Sequence, residues 1–442
     1  MGTTDAELPG YTSKTVPGYT AQTAAGSSTA PAPFRTEQSY SLETKGKHWL
    51  WIHVKSRAPA GASLPYFVQG DTVAGRVELD LEKSESIKGV MIQILAGSTA
   101  VGQEEMVFLD LKQDLWPTGS DKGGKIDKGK HSWPFSFVLP TKVDAPTDAK
   151  GKMSIDAPPS FSERASPAYI DYRIVATVKR GALKPNQTLT KSFAYTPLIA
   201  AEAPSKMRQM AYKEGTDILG PDGDPYGWKV LPSVKVKGKM FDAQDVEVEC
   251  TLALATPLTY ATGAPVPLYL TLESSNEVAL DTLADPKAIR MHLVRSIALG
   301  SDAMEERAER RSNTFFQTGV GQAYFWPPTE GAKEPGKRIL RGEVEVKRSV
   351  KPSFLFPRFC VRYTLSLLQF SATGFVPAGG VSSKATPLAS EPVKIVTQQF
   401  PGVVPRSYAP PGYEKPAESD YNAAVGYLEN GNQRFYHHGG FA

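Results

Sequence analysis

The sequence predicts an all-β protein in which two β-sandwich domains stand in tandem between disordered N- and C-terminal tails. Three observations carry this prediction. Apolar residues alternate with polar residues in many short segments, Gly and Pro clusters separate most of these segments, and the order of the signals repeats about 190 residues further along the chain. Alternation with a period of two is typical of a strand with one buried face, and many short strands between turns indicate sandwiches.

Composition separates the tails from the body. Residues 1–38 are mainly Gly, Ala, Ser, Thr and Pro with few large aliphatic side chains, so they cannot bury enough apolar surface to offset the entropy of ordering. Residues 401–442 have a similar composition. Between them we predict a first domain over 39–200, a junction over 201–235 that is rich in turn-forming residues, and a second domain over 236–400.

Ten segments of the body have the strand pattern. They lie at 73–81, 90–95, 106–111, 133–139, 169–178, 246–254, 266–272, 289–297, 343–348 and 361–368. One face of the first segment carries Val73, Val77, Leu79 and Leu81. Helical patterns are few. The best is 302–312, which is charged nearly all round and predicts a short exposed helix or a loop insertion.

The two halves of the body repeat the same order of signals. Tyr66 opens the segment YFVQGDTV, which leads into a strand and then into IKGVMIQILAGS. Tyr260 opens YATGAPVP, which leads into a strand and then into AIRMHLVR. Near the end of each half, PAYIDYRI from Pro167 matches PRFCVRYT from Pro357. The repeat predicts two similar sandwiches.

Charge and cysteine content exclude several classes of protein. The 442 residues include 50 Lys and Arg against 46 Asp and Glu, a net charge of +4, so we expect no nucleic-acid partner, which would need a concentrated basic footprint. Cys250 and Cys360 are too few for a disulfide-stapled secreted scaffold. One bridge between them is geometrically allowed, but two reduced buried thiols in a cytosolic protein is the simpler interpretation. No apolar run in the sequence approaches the roughly 20 residues of a membrane span, and residues 1–20 lack an apolar h-region, so we expect neither a membrane span nor a signal peptide.

Four motifs stand in order along the first half of the body. They are an aromatic residue followed by two spaced glycines (Tyr66, Gly70 and Gly75), a strand that ends at Gly97, WPFSFVLP over 133–140, and PPSF over 158–161 ahead of YIDY over 169–172. In these motifs the chain resembles the arrestins, and specifically the fungal arrestin-related trafficking adaptors, or α-arrestins, over roughly residues 40–400. The resemblance implies two arrestin-like, immunoglobulin-type sandwiches, the second more diverged. The charged polar core that locks visual arrestins is not carried over to residues of this chain.

The strongest short motif is Pro410-Pro411-Gly412-Tyr413. Two prolines favour a polyproline II ridge at little ordering cost, and WW domains bind such a ridge in an aromatic groove while a neighbouring pocket takes the Tyr ring. The alternative is a solvated tail segment without a partner. The resemblance implies WW-domain binding, because PPxY motifs of that family recruit HECT-type ubiquitin ligases through the WW domains of the ligase. We therefore predict WW-domain binding by Pro410, Pro411 and Tyr413.

The N-terminal tail contains two relatives of this motif that lack its first proline. Their residues are Leu8, Pro9 and Tyr11 in LPGY, and Val16, Pro17 and Tyr19 in VPGY. We expect weaker WW-domain binding, because one groove contact is weakened and the segment is less preorganised. A ligase with several WW domains would then gain effective concentration by engaging both tails. A low-complexity repeat of Pro-Gly-Tyr-Thr is the alternative.

A basic loop lies between two predicted strands. Its cations are Lys122, Lys125, Lys128 and Lys130. They could contact anionic lipid headgroups or an acidic cargo tail. The alternative is a solvated loop.

Sequence patterns for catalysis or metal binding are lacking. None of the six histidines stands in an HExxH motif or beside a Cys pair, so we expect neither a metal site nor another cofactor. Asp217, Asp222 and Asp224 lie in a Gly-rich loop whose spacing differs from an EF-hand, which favours a turn. The nucleophile-elbow, P-loop and dinucleotide-binding patterns are missing as well. We therefore expect a protein that is not an enzyme.

The resemblance implies a non-catalytic adaptor. Its body would bind cytoplasmic segments of membrane transporters or receptors, and its tails would recruit the ligase for cargo ubiquitination and endocytic sorting. Such a protein is cytoplasmic, with recruitment to the plasma membrane or endosomes. The main alternative is a ligase-independent arrestin-fold scaffold or retromer-like sorting subunit. A secreted β-sandwich lectin and a catalytic sandwich with a convergent acid pair or metal site are the remaining classes.

Overall fold

Strands in which apolar and polar residues alternate form a sandwich in the first half of the chain, which we call the first lobe. The computed structural model describes residues 36–116, 124–147, 151–163, 166–180, 184–305, 315–329, 333–379, 386–413, 415 and 421. The strands of the first lobe are β1 (Thr36–Thr44), β2 (Lys47–Ser56), β3 (Tyr66–Val68), β4 (Thr72–Leu81), β5 (Glu85–Ala100), β6 (Met106–Trp116), β7 (Lys125–Ile126), β8 (Gly129–Val138), β9 (Lys142–Pro146), β10 (Lys152–Asp156), β11 (Ala168–Arg180) and β12 (Gln187–Thr196).

The second half forms a second lobe with more insertions. It begins with α1 (Lys206–Glu214) and a 3-10 turn (Pro225–Gly227), and a second helix, α2 (Glu277–Leu283), is followed by another 3-10 turn (Pro286–Ala288). Its strands are β13 (Trp228–Val230), β14 (Val234–Met240), β15 (Gln244–Ala255), β16 (Thr259–Ala261), β17 (Pro265–Glu273), β18 (Met291–Leu299), β19 (Phe315–Trp326), β20 (Lys333–Glu334), β21 (Lys337–Glu345), β22 (Phe354–Phe356), β23 (Phe359–Leu367), β24 (Phe375–Pro377) and β25 (Ala389–Val396).

The strand order in the first lobe defines two layers. One sheet has the order β1-β2-β4-β8, and the other has the order β3-β12-β11-β5-β6. Neighbouring strands are antiparallel except β3, which runs parallel to β12 with Tyr66 opposite Ala194. Strand β7 pairs with β5, and β9 and β10 form a separate hairpin. Antiparallel sheets of this kind bury one face and present the other outward, which explains the alternating sequence.

The second lobe repeats this order within one curled sheet. Its path is β16-β25-β23-β18-β19-β21-β17-β15-β14-β24. Strand β19 joins the layers, because its first part pairs with β18 and residues 323–326 pair with β21. The layers β14-β15-β17-β21 and β16-β25-β23-β18-β19 therefore have the orders of the first lobe. This confirms the predicted fold class of two tandem arrestin-like sandwiches.

Two local features recur at equivalent places in the lobes. The short parallel strands β3 and β16 each lead to a glycine with a left-handed backbone, Gly70 at φ +82° and Gly263 at φ +81°. Only glycine adopts this conformation without steric cost. The hydroxyl of Tyr172 donates to the carbonyl of Pro158, and that of Tyr363 donates to the carbonyl of Lys351, both at 2.6 Å. The repeat seen in the sequence is thus a repeat of backbone turns and buried hydrogen bonds.

The predicted core faces are confirmed. Val73, Val77 and Leu79 of β4 are fully buried, and Leu81 is 4% exposed. Val248 and Leu270 occupy the corresponding interior of the second lobe. Both cysteines are free and buried, and burial raises the pKa of the Cys250 thiol to about 12, so it stays protonated.

An aromatic cluster joins the two lobes. The ring of Phe161 in the first lobe lies 5.2 Å from that of Phe359 and 5.9 Å from that of Phe354 in the second. Beside them, the Arg295 guanidinium bonds the Glu163 carboxylate at 2.6 Å. Edge-to-face rings and a partly buried ion pair hold the lobes together as one body.

Helices are the elements that the sequence pattern missed. Ser205 caps α1 by accepting from the Arg208 amide at 3.2 Å, and Gly215 ends it at φ +77°. Asn276 caps α2 in the same way. Of the predicted helix or insertion 302–312, residues 302–305 form a turn and the rest lie outside the described residues. None of the helices in the described ranges is long and apolar enough to cross a bilayer.

Candidate functional site: the PPxY segment on the second lobe

The chain after β25 runs over the outward face of the second lobe. We call residues 399–413 the strap. We expected a disordered tail from residue 401, but the strap has defined contacts as far as Tyr413, and Lys415 and Tyr421 add two more. The difference arises because Tyr408 and Tyr413 of the strap, and Tyr421 beyond it, contact aromatic rings of the lobe. Residues 416–420 and 422–442 lie outside the described residues.

The first anchor of the strap is an apolar cluster beside α1. Val403 and Tyr408 of the strap pack against side chains from the junction, β15 and β17, namely Ala211, Tyr212, Ile218, Trp228, Ala253, Ala255 and Tyr269. The rings of Tyr408 and Tyr212 are 6.1 Å apart. Arg208 fixes α1 here by donating to the carbonyls of Thr256 and Gly227. The junction and the strap therefore form one layer over the sheet.

The second anchor is the carboxylate of Glu343 on β21. It is 6% exposed, and it accepts from the Ser407 hydroxyl at 2.5 Å and from the Tyr408 amide at 3.2 Å. Hydrogen bonds to a charged acceptor are stronger than neutral ones. Because the carboxylate is buried, losing these donors carries a desolvation cost.

The third anchor is Tyr413 itself. Its hydroxyl donates to the carbonyl of Phe325 at 2.9 Å, and its ring meets the ring of Trp326 edge-on at 5.6 Å. Burial raises the pKa of Tyr413, and nearby Tyr324 and Glu343 add to the rise. The tyrosine of the motif is thus half-buried on β19.

The motif is folded into a turn. The Tyr413 amide donates to the Pro410 carbonyl at 3.0 Å, and Gly412 has φ +77°. Proline at the second position and glycine at the third are typical of a type II β-turn. The polyproline II ridge that we expected requires negative φ throughout, so it does not continue through Gly412. Pro410 and Pro411 are exposed on the outside of this turn.

Beyond the turn, two further side chains return to the lobe. The Lys415 ammonium lies 3.4 Å from the Glu345 carboxylate and 5.4 Å from the centre of the Tyr324 ring. Tyr421 is 4% exposed among Val294 and Leu368. The surface-exposed ion pair contributes little by itself, so the tyrosines are the main anchors.

The other predicted binding residues are only partly described. Leu8, Pro9, Tyr11, Val16, Pro17, Tyr19 and Lys122 lie outside the described residues. Lys125, Lys128 and Lys130 are exposed on the first lobe. The Lys130 ammonium is 3.9 Å from Glu78, and Lys47 first and Lys128 next lower the pKa of the exposed Glu82. Acidic neighbours thus offset part of the charge of this basic loop.

Histidine and aspartate side chains have structural contacts. His53 bonds Ser39 at 2.7 Å, and Asp217 pairs with Arg341 at 2.8 Å. Asp224 accepts from the Ser205 hydroxyl at the start of α1. Among the described residues no group of three or more His, Cys, Asp or Glu could hold a metal ion. The Gly-rich loop forms a turn at residues 221–223, and its Asp224 bonds the Ser205 side chain that caps α1.

A cleft of about 720 Å³ lies between the lobes. Apolar side chains such as Ile199, Leu258 and Phe354 line it, together with the cations Lys142, Arg362 and Lys394. Strand β10 contributes Ser154–Asp156 to its wall, and the strand pairings of the described residues give β10 one neighbour, β9. Sequence reasoning missed this cleft, because its walls come from segments far apart in the chain.

The family comparison matches the second part of the first lobe. A model described as arrestin (or S-antigen), N-terminal domain, matches residues 97–201. This match supports an arrestin-like protein. The matched range contains two of the four motifs noted above, WPFSFVLP and PPSF ahead of YIDY, and spans β6–β12. A search of curated proteins finds no match.

The lobe surface under the PPxY motif was not anticipated from the sequence. Residues 323–326 of β19 are buried on both faces. Ala323 and Phe325 lie in the core, Tyr413 of the strap packs on Trp326, and Lys415 lies over the Tyr324 ring. Four consecutive apolar residues, AYFW, place apolar side chains on both faces of the strand, which indicates that another segment covers the outward face. The run alone does not say which part of the chain provides that cover.

Proposed function

We propose that this arrestin-like chain is a non-catalytic adaptor of the α-arrestin type, which binds membrane cargo and recruits a WW-domain HECT-type ubiquitin ligase. The observation that carries the proposal is a PPxY motif with two exposed prolines, placed directly after an arrestin-like body. Pro410 and Pro411 would enter the aromatic groove of the WW domain, and Tyr413 would fill the neighbouring pocket.

The adaptor would act by proximity. One surface holds a cytoplasmic segment of a transporter or receptor and the motif holds the ligase, so cargo lysines are at high effective concentration near the ligase. Ubiquitination and endocytic sorting of the cargo follow. The protein would be cytoplasmic, with recruitment to the plasma membrane or endosomes. The N-terminal LPGY and VPGY sequences would add weaker WW contacts, and the basic loop would meet anionic lipid.

The cleft between the lobes is our candidate for the cargo surface. An extended segment could add to the free edge of β10 while its apolar side chains enter the cleft. Lys142, Arg362 and Lys394 favour acidic residues in that segment. The cargo we propose is therefore an acidic and apolar cytoplasmic tail.

Binding of the C-terminal peptide tests the ligase part of the proposal. The peptide 401–442 and its Tyr413→Ala form are titrated with WW domains from HECT ligases of the same organism. We expect micromolar binding, about −8 kcal/mol, that the Ala change abolishes. Lack of binding by this peptide and by residues 1–38 would overturn ligase recruitment.

A ligase-independent scaffold or retromer-like sorting subunit is the second candidate. It is favoured by the contacts of Tyr413 with Trp326 and Phe325, which give the tyrosine a packing role that needs no ligase. The double variant Pro410→Ala/Pro411→Ala separates the two, because both prolines are exposed and Tyr413 keeps its contacts. Cargo turnover in cells should fall for the adaptor and stay unchanged for the scaffold.

A further inference from the structure

The strap holds the residue that a WW domain would need. The Tyr413 ring lies against Trp326, and its hydroxyl bonds the Phe325 carbonyl. A WW domain that recognises PPxY buries the same ring in its own pocket. One ring cannot occupy both places, so the two contacts exclude each other.

The backbone of the motif adds a second conflict. With Gly412 at φ +77° and the Tyr413 amide bonded to Pro410, the motif is a closed turn. An extended polyproline II ridge needs that turn to open. Exposed prolines therefore do not make this motif ready to bind.

The arrangement of the anchors allows the motif to open without unfolding the lobe. Tyr408 and Ser407 are held at the α1 cluster and at Glu343, five or six residues before Tyr413. An extended segment of that length spans about 16–20 Å. Tyr413 can therefore leave Trp326 while Tyr408 stays in place.

We propose that the second lobe is a binding surface for the chain's own PPxY motif and competes with WW domains for Tyr413, so that the strap is an autoinhibitory latch. This inference rests on the proposed ligase recruitment. The full chain binds a WW domain only in its open fraction, and its apparent Kd is the intrinsic Kd divided by that fraction. A latch closed about nine-tenths of the time weakens binding about tenfold.

The test compares one WW domain that binds the 401–442 peptide with the full chain and with full-chain Trp326→Leu. We expect the wild-type chain to bind about tenfold more weakly than the peptide. Trp326→Leu should recover most of that loss, because it removes the ring under Tyr413 and keeps an apolar side chain. Phe241→Leu, which changes an exposed aromatic residue between β14 and β15, is the matched control and should bind like the wild type.

A second measurement avoids any destabilised variant. Hydroxyl-radical footprinting of the wild-type chain should find the Trp326 side chain protected, and saturating WW domain should make it reactive. Equal affinities of peptide and full chain, or a Trp326 that stays protected with the WW domain bound, would overturn the latch and leave ligase recruitment intact. A peptide that binds no WW domain would overturn both.

Discussion

Equivalent pairs of residues on the two lobes differ in chemistry. In the first lobe, His53 of β2 stands opposite Arg76 of β4 on the outward face. In the second lobe, the pair at the same place is Ala253 of β15 and Tyr269 of β17. Around the first pair lie the ion pair of Arg76 with Glu37 and the hydrogen bond of His53 with Ser39.

Around the second pair lies an apolar surface that α1 and the strap cover. The two lobes share one topology because their inward faces have the same pattern. Their outward faces decide what binds there: a charged sheet face is stable in water, whereas an apolar one needs cover. The second lobe uses the chain's own junction and C-terminal segment for this purpose.

A second difference lies at the turns after β3 and β16. Gly70 is followed by Asp71, whose carboxylate takes two bonds from Arg57 at 2.6 and 2.7 Å and one from the Val68 amide at 2.9 Å. Gly263 is followed by the apolar Ala264. The first lobe thus has a buried ion pair at a turn where the second lobe has an apolar side chain and backbone hydrogen bonds to residues such as Val346.

The largest effect is expected from Asp71→Ala, which gives the first lobe the residue of the second. It leaves the Arg57 guanidinium without its buried partner, so the free energy of unfolding should fall by about 3 kcal/mol. Urea denaturation measures the loss. Asp71→Asn, which keeps an acceptor, should lose less, and a loss below about 0.5 kcal/mol for the Ala variant would contradict the role of the pair.

The equivalent tyrosines Tyr172 and Tyr363 test a feature that the two lobes share. Tyr172→Phe and Tyr363→Phe each remove one hydroxyl and leave a buried carbonyl, of Pro158 or Lys351, without that donor. Each should destabilise the protein by about 1 kcal/mol, because a lost neutral hydrogen bond has that typical cost. Thermal and urea unfolding of both variants would show it. A clear inequality between them would mean that the lobes do not use this bond equivalently.

A smaller effect is expected from Ser407→Asp. The new carboxylate would face the Glu343 carboxylate that Ser407 now bonds, and like charges at this distance repel. The strap should loosen, and the full chain should bind a WW domain roughly threefold more tightly, about 0.6 kcal/mol. Val404→Asp, at a side chain that is 77% exposed, adds the same charge elsewhere on the strap. Equal gains from both variants would point to net charge rather than to Glu343.

The smallest effect is a pH dependence confined to the first lobe. Burial, with a further contribution from Arg76, lowers the pKa of His53 below its ordinary 6.5, although Glu78 and Glu37 oppose the shift. The unfolded chain then binds the proton more readily, so this stability is complete above pH 6.5 and is lost as the pH falls towards the folded pKa.

His53→Gln should therefore reduce the difference in the free energy of unfolding between pH 7.5 and pH 5.5, by less than about 0.5 kcal/mol. Urea midpoints at the two pH values measure it. His48→Gln, at an exposed histidine of the same hairpin, is the control. If the His53 variant keeps the pH dependence of the wild type, His53 does not contribute to the pH dependence of stability.

Local rules made most of the fold predictable. The period-two pattern of β4 and β11, the turns at Gly70 and Gly263, and the order of signals in the two halves depend on neighbours along the chain, because strand faces and left-handed turns are local properties. The same reasoning missed α1, whose Ser205 cap and Gly215 stop are clear only once its buried face is known. The PPxY motif could likewise be found in the sequence, but its position in the fold could not be predicted.

The position of the PPxY motif depends on contacts between residues that are far apart in the chain. Tyr413 bonds the carbonyl of a residue 88 positions earlier, and Glu163 pairs with Arg295 132 positions later. Such contacts depend on which faces meet after the sheets have formed, and neither partner has a local sequence signal. Local patterns along the chain are therefore enough to predict two repeated sandwiches and a proline-rich motif, whereas packing between distant segments holds the motif against the second lobe.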